Sequence, residues 1–300
     1  MIKYETEQKV YRIGKVEIGG QPGQRPTVMI GSIFFRGHRI VSDPVKGIFD
    51  HDKARALLER EAEMSDKTGN PRIVDVIADT PESAINYLEF VASYCDAPLL
   101  VDSSLPQARM AALRHFQGSE IISRLIFNSI DEHFSPEEEA CLRECGVTSA
   151  IVQPFSNRAI RPRDRLRLLE EKLLPVAERA GVQNMIIDVG VLDVPSVSWA
   201  AQTIREVKER FGFPSGCAST NAVYTCKFLK EAGSPSLEAA ASAIFTLPQT
   251  VGASYVFYGP IRNAPWAYAA CGIMDAMLAY NGRNLGYSIA SETHPLHKIT

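Results

Sequence analysis

From Thr27 onward, short runs rich in β-branched residues alternate with longer amphipathic stretches, and this change of hydrophobic period constrains the chain more than any other feature. A strand repeatedly followed by a helix builds βα units around a parallel sheet. The runs that read as strands are Val28–Phe35, Ile73–Ala78, Leu99–Ser103, Arg124–Ile130, Ser149–Pro154, Asn184–Val189, Pro214–Ala218 and Tyr255–Tyr258. They number about eight, which is what a closed (β/α)8 TIM barrel needs within its usual ~250 residues. The other α/β arrangement is an open doubly wound sheet, whose first strand normally enters a G-x-G-x-x-G turn. Gly31-Ser-Ile-Phe-Phe-Arg-Gly37 does not match that turn.

The intervening segments carry helix signals. Asp50–Asp66 opens on an Asp N-cap and puts Ala54, Leu57, Leu58 and Ala62 on one face. Ser135-Pro-Glu-Glu138 is a start with Pro at the first helical position and acids in the first turn, and a helix over Pro162–Ala180 is expected to stop at Gly181. No Pro/Gly/Ser-rich linker divides the 300 residues, so 1–300 reads as a single domain. Residues 1–26, with Gly19-Gly-Gln-Pro-Gly23, are expected to form an N-terminal cap or hairpin closing the barrel bottom. Arg36–Phe49 is a long loop after the first strand, a lid candidate in which Arg36, His38 and Arg39 offer polar contacts and Phe34, Phe35 and Phe49 offer packing.

A formal net charge of -3 and a pI near 6.1 give no electrostatic reason to expect a nucleic acid partner. The N-terminus lacks the apolar stretch of a signal peptide, and no run approaches the ~18 apolar residues of a membrane span. A cytoplasmic protein is expected. The six cysteines, without a Cys-x-x-Cys pair, are expected to be free thiols, with Cys141 and Cys145 on one helix face. No metal site is expected: His38 has no second ligand at suitable spacing, and Pro295 argues against a helix aligning His294 with His297.

In such a barrel the chemistry sits at the C-terminal strand ends. Four ends place a polar residue after an apolar run: Leu99-Leu-Val-Asp102, Leu125-Ile-Phe-Asn128, Met185-Ile-Ile-Asp188 and Cys217-Ala-Ser-Thr-Asn221. Each residue taken alone also reads as a cap for the next helix. Two carboxylates and two carboxamides suit a neutral heterocycle with several N–H donors, whereas a phosphate calls for Arg, Lys or clustered backbone N–H groups. The pyrimidine edge of a pterin, a ring N–H beside an amine, is a donor pair that a carboxylate accepts in bidentate fashion.

Asp102-Ser103, Asn128-Ser129, Asp188 and Asn221, on predicted strands three, four, six and seven, resemble the pterin site of corrinoid-dependent methyltetrahydrofolate methyltransferases and, more distantly, of dihydropteroate synthases. A closer likeness lies in Gly31-Ser-Ile-Phe-Phe-Arg-Gly-His-Arg-Ile-Val-Ser-Asp-Pro-Val-Lys-Gly-Ile-Phe-Asp50, Gly19-Gly-Gln-Pro-Gly23, Tyr258-Gly-Pro-Ile-Arg-Asn-Ala264 and His294-Pro-Leu-His-Lys298. These segments are similar to the MtrH subunit of tetrahydromethanopterin S-methyltransferase and to its bacterial relatives, the methylcorrinoid:tetrahydrofolate methyltransferases of methylamine and betaine catabolism. The likeness runs from Gly19 nearly to the C-terminus.

That resemblance implies a methyltransferase that moves a methyl group from a methylated corrinoid protein to N5 of tetrahydrofolate, with the corrinoid carried by the partner and no metal bound by this chain. It implies pterin binding by Asp102, Asn128, Asp188 and Asn221, with Ser103 and Ser129 beside them, and makes Asn221 the catalytic residue nearest N5. Arg36, His38 and Arg39 are candidates to contact the corrinoid protein. Thr220 stands where the archaeal protein usually has His, which favours tetrahydrofolate over tetrahydromethanopterin. The alternatives are a tetrahydromethanopterin-using subunit of a methyltransferase complex and a non-catalytic docking subunit. A dihydropteroate synthase is disfavoured because Ser215-Gly-Cys-Ala-Ser-Thr220 lacks a basic residue. A homodimer is expected, with the apolar helix from Ala264 as one possible interface.

Overall fold

The structure is a computed structural model that describes residues 2–300. A hairpin of β1 (Val10–Ile13) and β2 (Val16–Gly19) precedes the first barrel strand, β3 (Val28–Ile33), and a small ribbon of β4 (Val41–Asp43) and β5 (Ile48–Phe49) follows it. Then come α1 (His51–Thr68), β6 (Arg72–Ile77), α2 (Pro81–Tyr94), β7 (Leu99–Asp102), α3 (Pro106–His115), β8 (Leu125–Ile130), α4 (Pro136–Cys145) and β9 (Ser149–Val152). The second half runs α5 (Pro162–Leu168), α6 (Leu174–Arg179), β10 (Asn184–Asp188), α7 (Ser196–Phe211), β11 (Ser215–Cys217), α8 (Thr220–Thr225), α9 (Lys227–Ala232), α10 (Ser236–Thr250), β12 (Tyr255–Pro260), α11 (Ala264–Asn284) and α12 (Pro295–Lys298).

Eight parallel strands close in the order β10-β11-β12-β3-β6-β7-β8-β9, so the expected (β/α)8 barrel is the architecture observed. Alternation along each strand sends one set of side chains inward. Val28, Ile30, Ile73, Leu100, Ile126, Ile151, Ile186 and Tyr255 fill the lower interior, and Ile13, Val16 and Ile18 of the hairpin join them from below. The opposite faces pack against the helices, as Val74, Leu99, Val101, Leu125, Phe127 and Ile187 do. Among the described residues no helix is long and apolar enough to cross a membrane.

Local chemistry sets the element ends. Asp50 caps α1 by accepting from the Lys53 N–H, and Gly69 ends it in the left-handed conformation. Ser135 and Glu138 form a reciprocal capping box on α4. Three expectations need correction. The expected helix Pro162–Ala180 is interrupted by a π-helical turn over Leu169–Leu173, because Pro175 lacks an N–H and its ring crowds the carbonyl one turn back. The Arg36–Phe49 loop contains the β4–β5 ribbon. The tail around Pro295 is a helical turn, with Pro at the first position and His294 as cap, its Nδ1 accepting from the Leu296 N–H. Cys141 and Cys145 are buried, unoxidised thiols with sulfurs 3.9 Å apart.

Gly31 lies where β3 meets β12 and α1. A Cβ there would overlap the Tyr258 hydroxyl and come within 2.7 Å of Glu61 Oε1, two buried groups hydrogen-bonded to each other. Gly31→Ala is therefore expected to destabilise the protein by about 2–3 kcal/mol, measured as a lower urea midpoint with unchanged slope.

Candidate active site

The inner face of the barrel changes character one step above its apolar layer. Two residues beyond Ile30, Ile73, Leu100, Ile126, Ile151 and Ile186 stand Ser32, Asp75, Asp102, Asn128, Gln153 and Asp188. A step of two keeps a residue on the same face of a strand, so all six share the interior at the mouth. The ladder pairs Ser32 with Asp75 and Asp102 with Asn128, and sets Asp102 beside Ile77, two residues past Asp75.

Asp75 and Asp102 consequently face each other across β6 and β7. Asp75 is 2 % exposed and accepts from Ser32 Oγ at 2.7 Å, while among the described residues its other oxygen has no donor other than the Asp102 carboxyl. Burial and the neighbouring Asp102 charge push the Asp75 carboxyl well above the usual carboxylate range. Burial also pushes Asp102 up, to about 6, while the Asp75 carboxyl and the Arg109 guanidinium pull it back down. Two carboxyls in contact do not both ionise in a dry site. The pair thus holds a proton on Asp75, which donates to Asp102 and leaves Asp102 able to accept from a ligand.

Asp188, 3 % exposed, sits across the barrel. Burial raises it to about 6, against the Gly190 N–H at 2.8 Å, the Gln153 side chain, the Arg165 charge and the Ala218 N–H, each of which lowers it. Arg165 is fully buried over the Phe155 ring and donates from Nη1 to the Gly190 carbonyl at 3.1 Å, clamping the turn that presents Asp188. On the other side Arg109 donates to the Ser103 carbonyl and pairs with Glu138, holding the turn after Asp102. Both guanidiniums stand behind the mouth and are engaged there.

Asn128 is half-buried at the top of β8. Asn221 lies a layer higher, in the first turn of α8, with an exposed side chain and its backbone N–H donating to the Ala218 carbonyl at 3.0 Å. Ser103 is not brought to the mouth: alternation turns it away from Asp102, and its Oγ accepts from the Leu105 N–H at 3.1 Å. Ser129 is buried beside the register shift between β8 and β9. In the loop after β3, Arg36 and Arg39 are exposed, whereas His38 is buried, stacked on Phe35, and accepts the Phe34 N–H at Nδ1. Burial and nearby Arg262 lower His38 to about 4, so it is neutral. Among the described residues no three metal-ligating side chains cluster.

Asp75 and Gln153 belong to this layer and do not stand out among the strand-end residues of the sequence. Asp75 interrupts the apolar run Ile73-Val-Asp-Val-Ile77 at an inward position, and Gln153 follows Val152 at a strand end, so alternation was the signal for both. The arrangement presents a ring of acceptors and carboxamides with no free cation among its members. It suits a neutral ligand with a donor-rich edge, inserted into the mouth and paired before water can return.

The family model for the tetrahydromethanopterin S-methyltransferase MtrH subunit matches residues 6–290. The corresponding subunit of that enzyme from Methanothermobacter thermautotrophicus is 33% identical over 310 residues, and the one from Methanocaldococcus jannaschii is 34% identical over 319; both alignments cover 100% of each chain. Among solved structures, dihydropteroate synthase from Xanthomonas albilineans with 4-aminobenzoic acid aligns with a TM-score of 0.62 at 16% identity, covering 91% of this chain and 99% of that one. The Thermus thermophilus enzyme with 4-aminobenzoate aligns with a TM-score of 0.60 at 15% identity, covering 90% and 100%. At such identities the structural likeness is one of fold.

The raised Asp188 pKa has a thermodynamic consequence. A carboxyl that holds its proton more tightly when folded favours the folded state in acid, and that contribution is lost as pH rises through about 6. Asp188→Asn is therefore expected to be more stable than wild type at pH 8, by roughly 1–2 kcal/mol. In thermal melts the gap should close toward pH 4; a constant gap would show that Asp188 ionisation is not its source.

Proposed function

The chain belongs to the tetrahydromethanopterin S-methyltransferase MtrH subunit family, and from that premise we propose that it transfers a methyl group between a corrinoid-carrying partner protein and N5 of a tetrahydropterin. The observation that carries the reading is the acceptor ring of Asp102, Asn128 and Asp188 on the inner face of the barrel. Asp102 and Asp188 are placed to accept from the amine and ring N–H of the pyrimidine edge, and Asn128 to pair with a neighbouring donor or acceptor of the same ring. Asp75 holds the proton that keeps Asp102 from being repelled by a second anion.

The partner's corrinoid supplies the cobalt centre that gives or takes the methyl group. This chain contributes position: it buries the pyrimidine edge and leaves N5 toward the rim, where Asn221 stands. In the direction of pterin methylation, the N5–methyl bond forms as the methyl–cobalt bond breaks, its electron pair stays on cobalt, and N5 releases its proton. A carboxamide accepts from a protonated N5 and donates to an unprotonated one after reorienting, so Asn221 serves both charge states. Alignment of this kind supplies up to ~7–11 kcal/mol in favourable cases.

The pterin is proposed to be tetrahydromethanopterin, a correction to the preference for tetrahydrofolate. That preference rests on Thr220 alone, and the Thr220 hydroxyl is packed toward Gly259 of β12, where it reports on wall packing more than on the pterin. The relatives that align end to end are named for the methanopterin enzyme.

With a methylated corrinoid protein as donor, the chain should form methyl-tetrahydromethanopterin at a higher kcat/KM than methyl-tetrahydrofolate; the reverse order would restore the folate reading. Asn221→Ala should lower kcat at least tenfold, a loss of ~1.4 kcal/mol or more, and change pterin Kd little. Unchanged turnover would leave Asn221 outside the reaction and point to the docking role. Asp102→Ala should weaken pterin binding by about 10- to 100-fold, the cost of ~1–3 kcal/mol for unpaired buried donors.

Pterin affinity should also be flat above pH 7 and fall below about 6, because protonated Asp102 and Asp188 no longer accept a donor pair. Calorimetric Kd values across pH 5 to 8 check this, and a pH-independent Kd would remove both carboxylates from the pterin edge.

A further inference from the structure

At the seam where β12 pairs with β3, the loop after β3, the turn after β12 and the outer face of α1 enclose a groove of about 620 Å³. Its floor is apolar, made by Ile40, Ala56 and Leu57; its rim carries Arg39, Lys53, Arg60 and Arg262. Lys53, Ala56, Leu57 and Arg60 fall three and four residues apart on one side of α1, while Ala54, Leu58 and Glu61 pack toward the barrel on the other. A chain of formal net charge -3 thus concentrates four cations around one concavity.

The charges are largely uncompensated. Lys53 pairs with Asp50 at 2.7 Å, but among the described residues Arg39, Arg60 and Arg262 have no carboxylate at ion-pair distance. Glu63, whose charge is felt by Arg60, is held by Lys67 at 2.6 Å. A second feature points into the same space. His38 is 6 % exposed, and its Nδ1 accepts from the Phe34 N–H, which places the ring proton on Nε2. Among the described residues that Nε2–H has no partner, and His38 lines the groove. Lowered to about 4, His38 is a neutral donor at working pH, so its role there is a directed hydrogen bond.

Guanidinium forks match carboxylate and phosphate oxygens, and an apolar floor matches an aryl or alkyl spacer. The volume lies in the ~300–1,000 Å³ range of small-molecule sites. The groove also adjoins the mouth: Ser32, which bonds Asp75 in the carboxylate pair, lies in the strand that leads into the His38 loop, and Arg262 follows the neighbouring strand directly. Reduced pterins that carry one-carbon units bear long tails ending in carboxylate or phosphate. We propose that this groove receives the anionic tail of the pterin, held by Arg39, Arg60, Arg262 and the His38 Nε2–H while the ring occupies the barrel mouth. The proposal rests on the pterin reading above and names where the rest of that substrate lies.

The test compares wild type with the Arg60→Gln/Arg262→Gln double variant, using tetrahydromethanopterin, tetrahydrofolate triglutamate and tail-less 6-methyltetrahydropterin as methyl acceptors. The variant should raise KM for both tailed pterins tenfold or more, leave their kcat within twofold, and leave KM for the tail-less pterin and for the corrinoid protein unchanged. Inorganic phosphate and p-aminobenzoyl-triglutamate, titrated separately, should bind wild type and lose tenfold or more in affinity for the variant; loss for one only identifies which tail chemistry is read. A raised KM for the corrinoid protein with unchanged pterin KM values would assign the groove to an acidic surface of that partner and overturn the proposal, as would no change in any parameter. Turnover of the tail-less pterin by wild type reads the mouth alone, so its absence condemns the pterin reading, whereas its presence with no tail-specific loss condemns only the groove.

Discussion

Asp75 and Asp102 face one another across β6 and β7, in a layer whose underside is entirely aliphatic. Left ionised, the pair would repel; left without donors, either member would carry the cost of a buried polar group. One shared proton resolves the first problem, and Ser32 partly resolves the second. What remains is an acceptor on Asp102 that the protein does not satisfy. The stability lost there is what makes the site receptive, since a ligand that presents a donor edge relieves it on arrival.

The surroundings are arranged to keep that acceptor in place without quenching it. Arg109 is near enough to lower the Asp102 pKa, yet its own hydrogen bonds go to the Ser103 carbonyl and Glu138. Arg165 does the same for Asp188, anchoring the Gly190 carbonyl and stacking over Phe155. A guanidinium inside the mouth would have paired with the carboxylate and occupied the ligand's position. Held one layer back, it stabilises charge at a distance and fixes the turn geometry, which is the division between contact and support that a binding site needs.

Most of this was legible in the sequence because it follows period. The eight strand–helix repeats appear in the alternation, and Asp102, Asn128 and Asp188 stand out because each ends an apolar run. Asp75 escaped because attention to run ends overlooks a polar residue in mid-strand, although its inward position was already implied by Ile73 and Ile77. Gln153 was hidden by reading Pro154 as the strand terminus. The basic groove was illegible for another reason: His38 and Arg262 are distant in the chain and meet only because the barrel closes β12 against β3. The helix at Pro295 shows the limit of a propensity rule, since Pro disrupts a helix interior but begins a helix readily.

The two ends of the barrel show why burial alone does not mark the functional end. At the bottom, Asp275 is as buried as the mouth carboxyls, and burial raises it to about 6 as well. It nevertheless accepts from the Thr27 N–H and Oγ1 at 2.8 and 2.7 Å, from Asn70 Nδ2 at 2.6 Å and from Gln249 Nε2 at 3.1 Å. Four protein donors make Asp275 a tie between the first strand, α10 and α11, complete without any ligand. At the mouth, Asp75 meets a hydroxyl and another acid, and the donors to Asp188 belong to the turns that carry it. The same side chain, equally buried, is structural where the fold supplies all its donors and receptive where it withholds them. That contrast, more than any perturbed pKa, assigns chemistry to the C-terminal end of this barrel.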